Sequence, residues 1–270
     1  MKILNDQFYT SPEIAKKCIS LIEDIDKYDT IIEPSAGNGS FSKNFKKCFS
    51  YDLEPKGPKI IKQDFLLLNR DKNWGKNILF VGNPPFGSRS TLAKRFIKHS
   101  QELGATTIAF ILPDVFSKTT NQKYNLWPKE WRLINTFKLP LNSFKISLNN
   151  KIQSYHVPCT FYVWTKLPGS VNNRVWPPKN KPKYFKFLTR GDKKADFVFN
   201  GNSGRIKNLN DVTNPKSEHY IYVENKEKVN WVKKILSSLK FPKMSSVNGG
   251  NFWINQDDIL IAWNKRFNTK

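Results

Sequence analysis

Four short segments of this chain carry residue types that could do chemistry, and they follow one another in a telling order. The first is Glu33-Pro34-Ser35-Ala36-Gly37-Asn38-Gly39-Ser40-Phe41. Gly37 and Gly39 allow a tight turn and a close approach of backbone to a ligand. No Lys-Ser/Thr pair follows the glycines, as a phosphate-cradling loop requires. Glu33 would repel a phosphate and suits a ligand that carries an ammonium group. The second segment is Tyr51-Asp52-Leu53-Glu54, where an acid after a strand can accept hydrogen bonds from two ribose hydroxyls. In the third, Gln63-Asp64-Phe65-Leu66, Asp64 could accept a hydrogen bond from an adenine amine. The fourth is Asn83-Pro84-Pro85-Phe86. Its prolines fix the backbone and give up two amide donors, so carbonyl oxygens there can face a ligand. Asn83 adds a side-chain acceptor, and Phe86 offers a flat face for a base. Each segment has a plainer alternative: an ordinary turn, a solvated strand-end acid, a proline loop.

These residues need elements to hold them. Residues 12–25 place Ile14, Ala15, Cys18, Ile19 and Ile22 at helical spacing, with Pro12 in the first turn. Thr30–Ile32 reads as a buried strand feeding the glycine turn, and residues 40–47 as the helix after it. Strands are expected at Phe49–Leu53, Ile60-Ile61, 77–81, 106–112, 132–138 and 157–165, with a helix over 90–103. Strands alternating with helices predict an α/β fold, a doubly wound, mostly parallel sheet of the Rossmann kind. Composition changes near residue 168. Leu167–Lys183 holds five prolines or glycines (Pro168, Gly169, Pro177, Pro178, Pro182) and reads as a boundary. The expected organisation is a domain over 1–168 and a small basic region over 169–270.

The formal net charge is +23, from 45 basic and 22 acidic residues. A charge of that size predicts attraction to polyanions, nucleic acid first. From residue 170 onward there are 20 basic and 8 acidic residues, interleaved with Tyr184, Phe185, Phe187, Trp231, Phe252 and Trp253. Lys193, Lys194, Arg205 and Lys207 are candidates for phosphate contacts. Gly201-Asn202-Ser203-Gly204 reads as a turn between strands. Cys18, Cys48 and Cys159 are too few and too scattered for a disulfide framework, and no metal-ligating cluster is visible. His99, His156 and His219 read as structural or exposed. No run approaches membrane-spanning length. The expectation is an intracellular protein with no membrane partner.

The motif order resembles the amino-methyltransferase branch of the class I S-adenosylmethionine-dependent family, in its gamma-type arrangement. Phe8-Tyr9-Thr10 resembles the family's N-terminal cofactor motif, although Ser11 intervenes before Pro12. The Glu33–Phe41 segment resembles the first cofactor motif, Asp52 the ribose-binding acid, Asp64 the adenine-contacting acid, and Asn83–Phe86 the catalytic Asn-Pro-Pro-aromatic motif. The resemblance covers residues 6 to about 166. It implies S-adenosyl-L-methionine as cofactor, bound by Phe8, Tyr9, Thr10, Glu33, Pro34, Ser35, Gly37, Gly39, Asp52, Asp64 and Asn83. It implies catalysis by Asn83, Pro84, Pro85 and Phe86 on an exocyclic base amine, N6 of adenine first, with no metal.

Such an amine is a poor nucleophile because its lone pair is delocalised into the ring. Acceptors that hold its hydrogens, here the Asn83 side-chain oxygen and the Pro84 carbonyl, expose that lone pair. A base within a duplex must first leave the stack. Phe86 would cover one face of it, and Phe144, in the loop 139–144, is the candidate second wall. Attack at a ring carbon would instead need an activated cysteine; Cys159 lies in a late strand and reads as packing. DNA is the first substrate considered. RNA adenines, including a cap-adjacent adenosine, are the alternative, followed by N4 of cytosine, N2 of guanine and protein glutamine. A non-catalytic nucleic-acid-binding partner is the remaining class.

Overall fold

The computed structural model describes residues 9–118, 121–148, 151–155, 157–169, 171–175, 182–241 and 253–267; side chains of 146–148 and 151–155 are outside the description. Phe8, His156, Pro177, Pro178 and Phe252, singled out above, lie outside the described residues. The chain divides into two units: residues 1–117 with 121–174, and 118–120 with 175–270.

The first unit is built on a seven-stranded sheet. β1 is Tyr9–Thr10 and lies apart from it. Helix α1 (Pro12–Ile19) starts at Ser11, whose hydroxyl accepts the Ile14 N–H at 3.4 Å. It is shorter than its apolar spacing suggests. The Ser20 hydroxyl turns back to the Lys17 carbonyl (2.8 Å), and Asp24 adopts a left-handed φ of 47° before a 3₁₀ turn at Ile25–Lys27. The sheet strands follow as β2 (Thr30–Glu33), β3 (Phe49–Asp52), β4 (Ile61–Lys62), β5 (Ile78–Gly82), β6 (Thr107–Pro113), β7 (Arg132–Lys138) and, after a hairpin, β10 (Cys159–Thr165). Helix α2 (Thr91–Glu102) joins β5 to β6. The spatial order is β4-β3-β2-β5-β6-β10-β7.

Pairs along β4-β3-β2-β5-β6 are parallel, and β10 runs antiparallel to both β6 and β7. Counted along the sheet, the first five strands follow the 3-2-1-4-5 order of a Rossmann sheet. The reversed β10 then inserts before β7. This is a mixed, Rossmann-like sheet. Every residue of β5, β6 and β10 is buried, which explains their unbroken apolar runs in place of alternation. At the β10 end, Trp127 stacks on Trp164 at 4.3 Å, and the Arg174 guanidinium lies 5.0 Å over Trp164 and 5.2 Å over Tyr124. That guanidinium also donates to the Pro128 and Trp131 carbonyls.

Two differences from the sequence reading matter. Residues 40–47 form no α-helix, only a 3₁₀ turn at Ser42–Asn44. The Glu33 carboxylate takes the Ser42 N–H (2.8 Å) and Asn44 bonds back to the Ser40 carbonyl (2.8 Å), so local side chains compete with a helical ladder. The segment after β7 is not a plain loop. β8 (Phe144–Leu148) and β9 (Lys151–Tyr155) form a hairpin, and β8 pairs with β1, placing Thr10 opposite Phe144.

The second unit is a four-stranded antiparallel sheet with the order β11-β14-β12-β13, from β11 (Phe185–Leu188), β12 (Phe197–Asn200), β13 (Ile206–Lys207) and β14 (Glu218–Val223). Helices α3 (Val229–Ser238) and α4 (Gln256–Phe267) supply Val232, Leu236, Ile259 and Trp263 to its core, against Phe185, Phe197, Phe199 and Ile221. Residues 201–204 connect β12 to β13 as a turn. Gly201 is required there: a Cβ would lie 2.5 Å from the Trp253 ring. Asn255 and Asp258 cap α4 reciprocally, each side chain accepting the other's backbone N–H. Lys118 bonds to the Trp253 carbonyl and pairs with Asp258 at 3.1 Å.

Candidate active site

Glu33, Asp52 and Gly82 end three adjacent parallel strands, and the chain changes its direction of progress across the sheet between β2 and β5. Open α/β sheets bind ligands at such a switch point, beyond the carboxyl ends of the strands. A cavity of about 590 Å³ lies at this place. Its wall includes Tyr9, Thr10, Glu33, Pro34, Ser35, Gly37, Asp52, Asp64, Asn83 and Pro85, ten of the residues singled out in the sequence. The loops after β2, β3, β4 and β5 thus converge although up to 50 residues of sequence separate them.

Hydrogen bonds fix the convergence. Asp52 holds two loops at once: one carboxylate oxygen accepts the Gly37 N–H (2.7 Å) and the other the Glu54 N–H (2.8 Å). Gly37 has a φ of 55°, and a Cβ on it would meet the Tyr9 ring at 3.1 Å, so the glycine lets β1 press onto the turn. The Ser40 hydroxyl donates to the Thr10 carbonyl (2.7 Å). The Ser35 hydroxyl donates to the Asn83 carbonyl (3.1 Å) and so ties the loop after β2 to the Asn-Pro-Pro loop. Asp64 accepts the Leu66 N–H (2.9 Å) and caps the turn Phe65–Leu67.

The electrostatics are unusual for so basic a chain. Glu33, Asp52, Glu54 and Asp64 all line the cavity, and among the described residues Arg95 is the one cation on its wall. Glu33 is 1% exposed, and burial pushes its carboxyl up to about 8, the Ser42 N–H opposing this and the Asp52 charge adding to it. The Tyr9 hydroxyl is also pushed up, by burial first and then by Asp52 and Glu54. The Thr10 hydroxyl is buried and makes no hydrogen bond within the described residues. Acids, a buried acceptor and an unused hydroxyl suit a ligand with an ammonium group and hydroxyls. They do not suit a phosphate.

Other expected residues stand elsewhere. Gly39, with a φ of 79°, shapes the turn and is not on the wall. Pro84 is buried and not on the wall, and Phe86, expected to offer an open face, is 2% exposed. Its carbonyl accepts the Leu92 and Ala93 N–H groups at 3.2 Å each, which draws the residue against the start of α2. The intervening loop is tightly wound, with left-handed φ at Gly87, Arg89 and Ser90. Phe144, expected in a loop, is fully buried in β8 and is not on the wall. Cys159 is buried in β10, and burial raises its thiol strongly, which disfavours a thiolate nucleophile. Lys193, Lys194 and Arg205 are exposed, whereas Lys207 reaches the buried Glu218 carboxylate at 3.0 Å.

Sequence reading missed part of the wall: Leu53, Phe65, Leu66, Leu92, Arg95 and Phe96. They form its apolar side, where Phe65 and Phe96 lie 4.9 Å apart. Leu53 and Phe65 directly follow the two expected acids, a signal that was available. Arg95 and Phe96 sit on α2 at ordinary amphipathic positions, and nothing in their spacing marks them.

No protein-family model matches the chain, and no curated protein matches it. Solved structures similar to it include a candidate RNA methyltransferase from Pyrococcus horikoshii, with 16% identity, 62% of this chain and 90% of that one covered, and a TM-score of 0.45. The 23S rRNA methyltransferase ErmE is another, with 13% identity, 61% and 71% covered, and a TM-score of 0.44. A candidate methylase from Haemophilus influenzae gives 15% identity, 58% and 98% covered, and a TM-score of 0.36.

Proposed function

We propose that this chain transfers a methyl group from S-adenosylmethionine to N6 of an adenine in nucleic acid, with DNA the first substrate to test. The observation that carries the reading is the Asn83-Pro84-Pro85 loop set against an acid-lined cavity at the sheet's switch point and bonded to it through Ser35.

The residues present fit the cofactor. Its ammonium group would meet the Glu33 side of the cavity, its ribose hydroxyls Asp52, and its purine the apolar side of Leu53, Phe65, Leu66 and Pro85, with Asp64 for the amine. When bound, the cofactor supplies an electrophilic methyl on a sulfonium. The chain's own part is to hold the acceptor. The Asn83 side-chain oxygen and the Pro84 carbonyl would accept the two hydrogens of the base amine and favour its pyramidal form, leaving the lone pair exposed. Holding amine and methyl donor together supplies much of the rest. Phe86 is the residue proposed to face the base. In the structure described it is packed away, so base binding would require the 87–90 loop to rearrange. Phe144 would act through the β1–β8 pairing that holds Thr10, as support for the wall.

Lys193, Lys194 and Arg205 are exposed and suited to phosphate contacts. Incubation with isotopically labelled cofactor and, separately, duplex DNA, single-stranded DNA and RNA tests the whole reading. Each polymer is digested to nucleosides and analysed by mass spectrometry. Labelled N6-methyladenine in any polymer, absent with Asn83→Ala, is the expected result. Cofactor binding with no labelled nucleoside from any polymer would overturn it and bring protein glutamine forward.

A further inference from the structure

The second unit carries a nest of aromatic rings at the edge of its core, two of which, Trp231 and Phe267, the core does not cover. Trp231 on α3 lies 5.0 Å from Tyr184, 5.9 Å from Phe267 and 6.0 Å from Trp263. Trp263 is buried, as a core ring should be, but Trp231 remains 38% exposed and Phe267 42% exposed. Lysines frame the rings. Lys228 lies 4.7 Å and Lys183 5.8 Å from the Tyr184 ring, and both are exposed. Scattered single apolar residues on a surface need no explanation. Two large half-exposed rings side by side, Trp231 and Phe267, next to a Tyr184 ring that carries two ammonium groups over it, make a platform with both a stacking face and a charge. The acid nearest in sequence, Glu227, is exposed beside Lys228.

We infer that Tyr184, Trp231 and Phe267, with Lys183 and Lys228, form a docking surface for single-stranded nucleic acid. Bases stack on exposed aromatic faces whatever their identity, and lysines hold the backbone alongside. An intact duplex hides its base faces, so a stacking platform selects unpaired strands. The chain's charge of +23 is complementary to such a strand and opposes self-association through this basic face. The inference rests on the nucleic-acid reading above and deepens it: a strand held by stacking presents bases already out of the duplex, the form that base-modifying chemistry needs.

The test uses the full chain and dye-labelled oligomers of about 20 nucleotides, long enough to exceed the site sizes of such surfaces. Anisotropy is measured for oligothymidine, oligouridine, a duplex and an abasic single strand. Variants are Trp231→Ala/Phe267→Ala and Lys183→Ala/Lys228→Ala. The wild type should prefer single strands. The ring variant should lose about tenfold in affinity for oligothymidine or oligouridine and nothing on the abasic strand. The Lys183/Lys228 variant, which leaves the rings in place, should reduce the salt slope by about one. Wild-type preference for duplex overturns the proposal. So does a ring variant, folded by circular dichroism, that binds like wild type. So does sedimentation showing that the rings instead hold two copies together. If the ring variant misfolds, an unchanged salt slope in the lysine variant overturns it. Methyl transfer is read separately. Strand binding without methylation leaves this inference standing and the enzymatic reading failed; methylation with unaltered binding by the ring variant does the reverse.

Discussion

The two units handle charge in opposite ways. The first gathers Glu33, Asp52, Glu54 and Asp64 around one cavity inside a strongly basic protein. The second keeps its positive charge on the outside, next to half-exposed rings. A cation-bearing small ligand needs enclosed acids, because an exposed carboxylate is screened by water and salt. A polyanion needs the reverse: many solvated cations acting together over a long surface. One chain can offer both only by separating them, acids in a concavity and lysines on the exterior.

The comparison is open to attack from both sides. The largest effect expected is in the first unit. Asn83→Ala should lower kcat by about a hundredfold or more, with strand affinity within about threefold of wild type. Single-turnover kinetics with calorimetry would check it; a parallel fall in strand binding would break the division of labour. Next is Gly201→Val in the second unit. The new Cβ has only 2.5 Å to the Trp253 ring, so the unit should lose about 2–3 kcal/mol of stability while calorimetric cofactor binding persists. Asp52→Ala should weaken cofactor binding by about 1.5–3 kcal/mol, since a charged acceptor is lost and the Gly37 and Glu54 amides lose their partner.

The remaining effect is in pH dependence. Glu33 ionises at about 8 in the folded chain against an ordinary value of 4.5, so folding favours its protonated form. That contribution is full below about 4.5 and is lost as pH rises through 8. Thermal unfolding followed from pH 5 to 8.5 should show a decline that Glu33→Gln removes. Binding of an ammonium-bearing ligand beside Glu33 should release a proton at neutral pH. Calorimetry in two buffers of different ionisation enthalpy reads that release; none would argue against placing the ammonium there.

Much of the sheet was legible because its central strands are unbroken apolar runs. Ile78–Gly82, Thr107–Pro113 and Cys159–Thr165 needed no partner information to be read. Glu33, Gly37, Asp52 and Asp64 were legible because each stands at or just after the end of a strand, and all four line the cavity. What escaped depends on long-range pairing. The β8–β9 hairpin is stabilised by Tyr9 and Thr10, more than 130 residues away, and nothing local announces it. Ring direction escaped as well. Phe86 and Phe144 were expected to face a base, yet both are buried, because residue type does not say whether a ring faces a ligand or the core. The 40–47 segment misled because its helix would compete with the bond from Ser42 to Glu33, a contact invisible without the fold.

The chain crosses into the second unit twice, once at residues 118–120 and again at 175. The ammonium group of Lys118 serves the α4 end, bonding to the Trp253 carbonyl and pairing with Asp258. A single scission after Arg174 therefore cannot hand each half its full set of partners. The C-terminal fragment would leave that lysine behind, keeping a partly buried aspartate whose counter-ion stays on the other piece. The second unit draws on two stretches of sequence, and any scheme that swaps, grafts or shortens it must carry Lys118 with it.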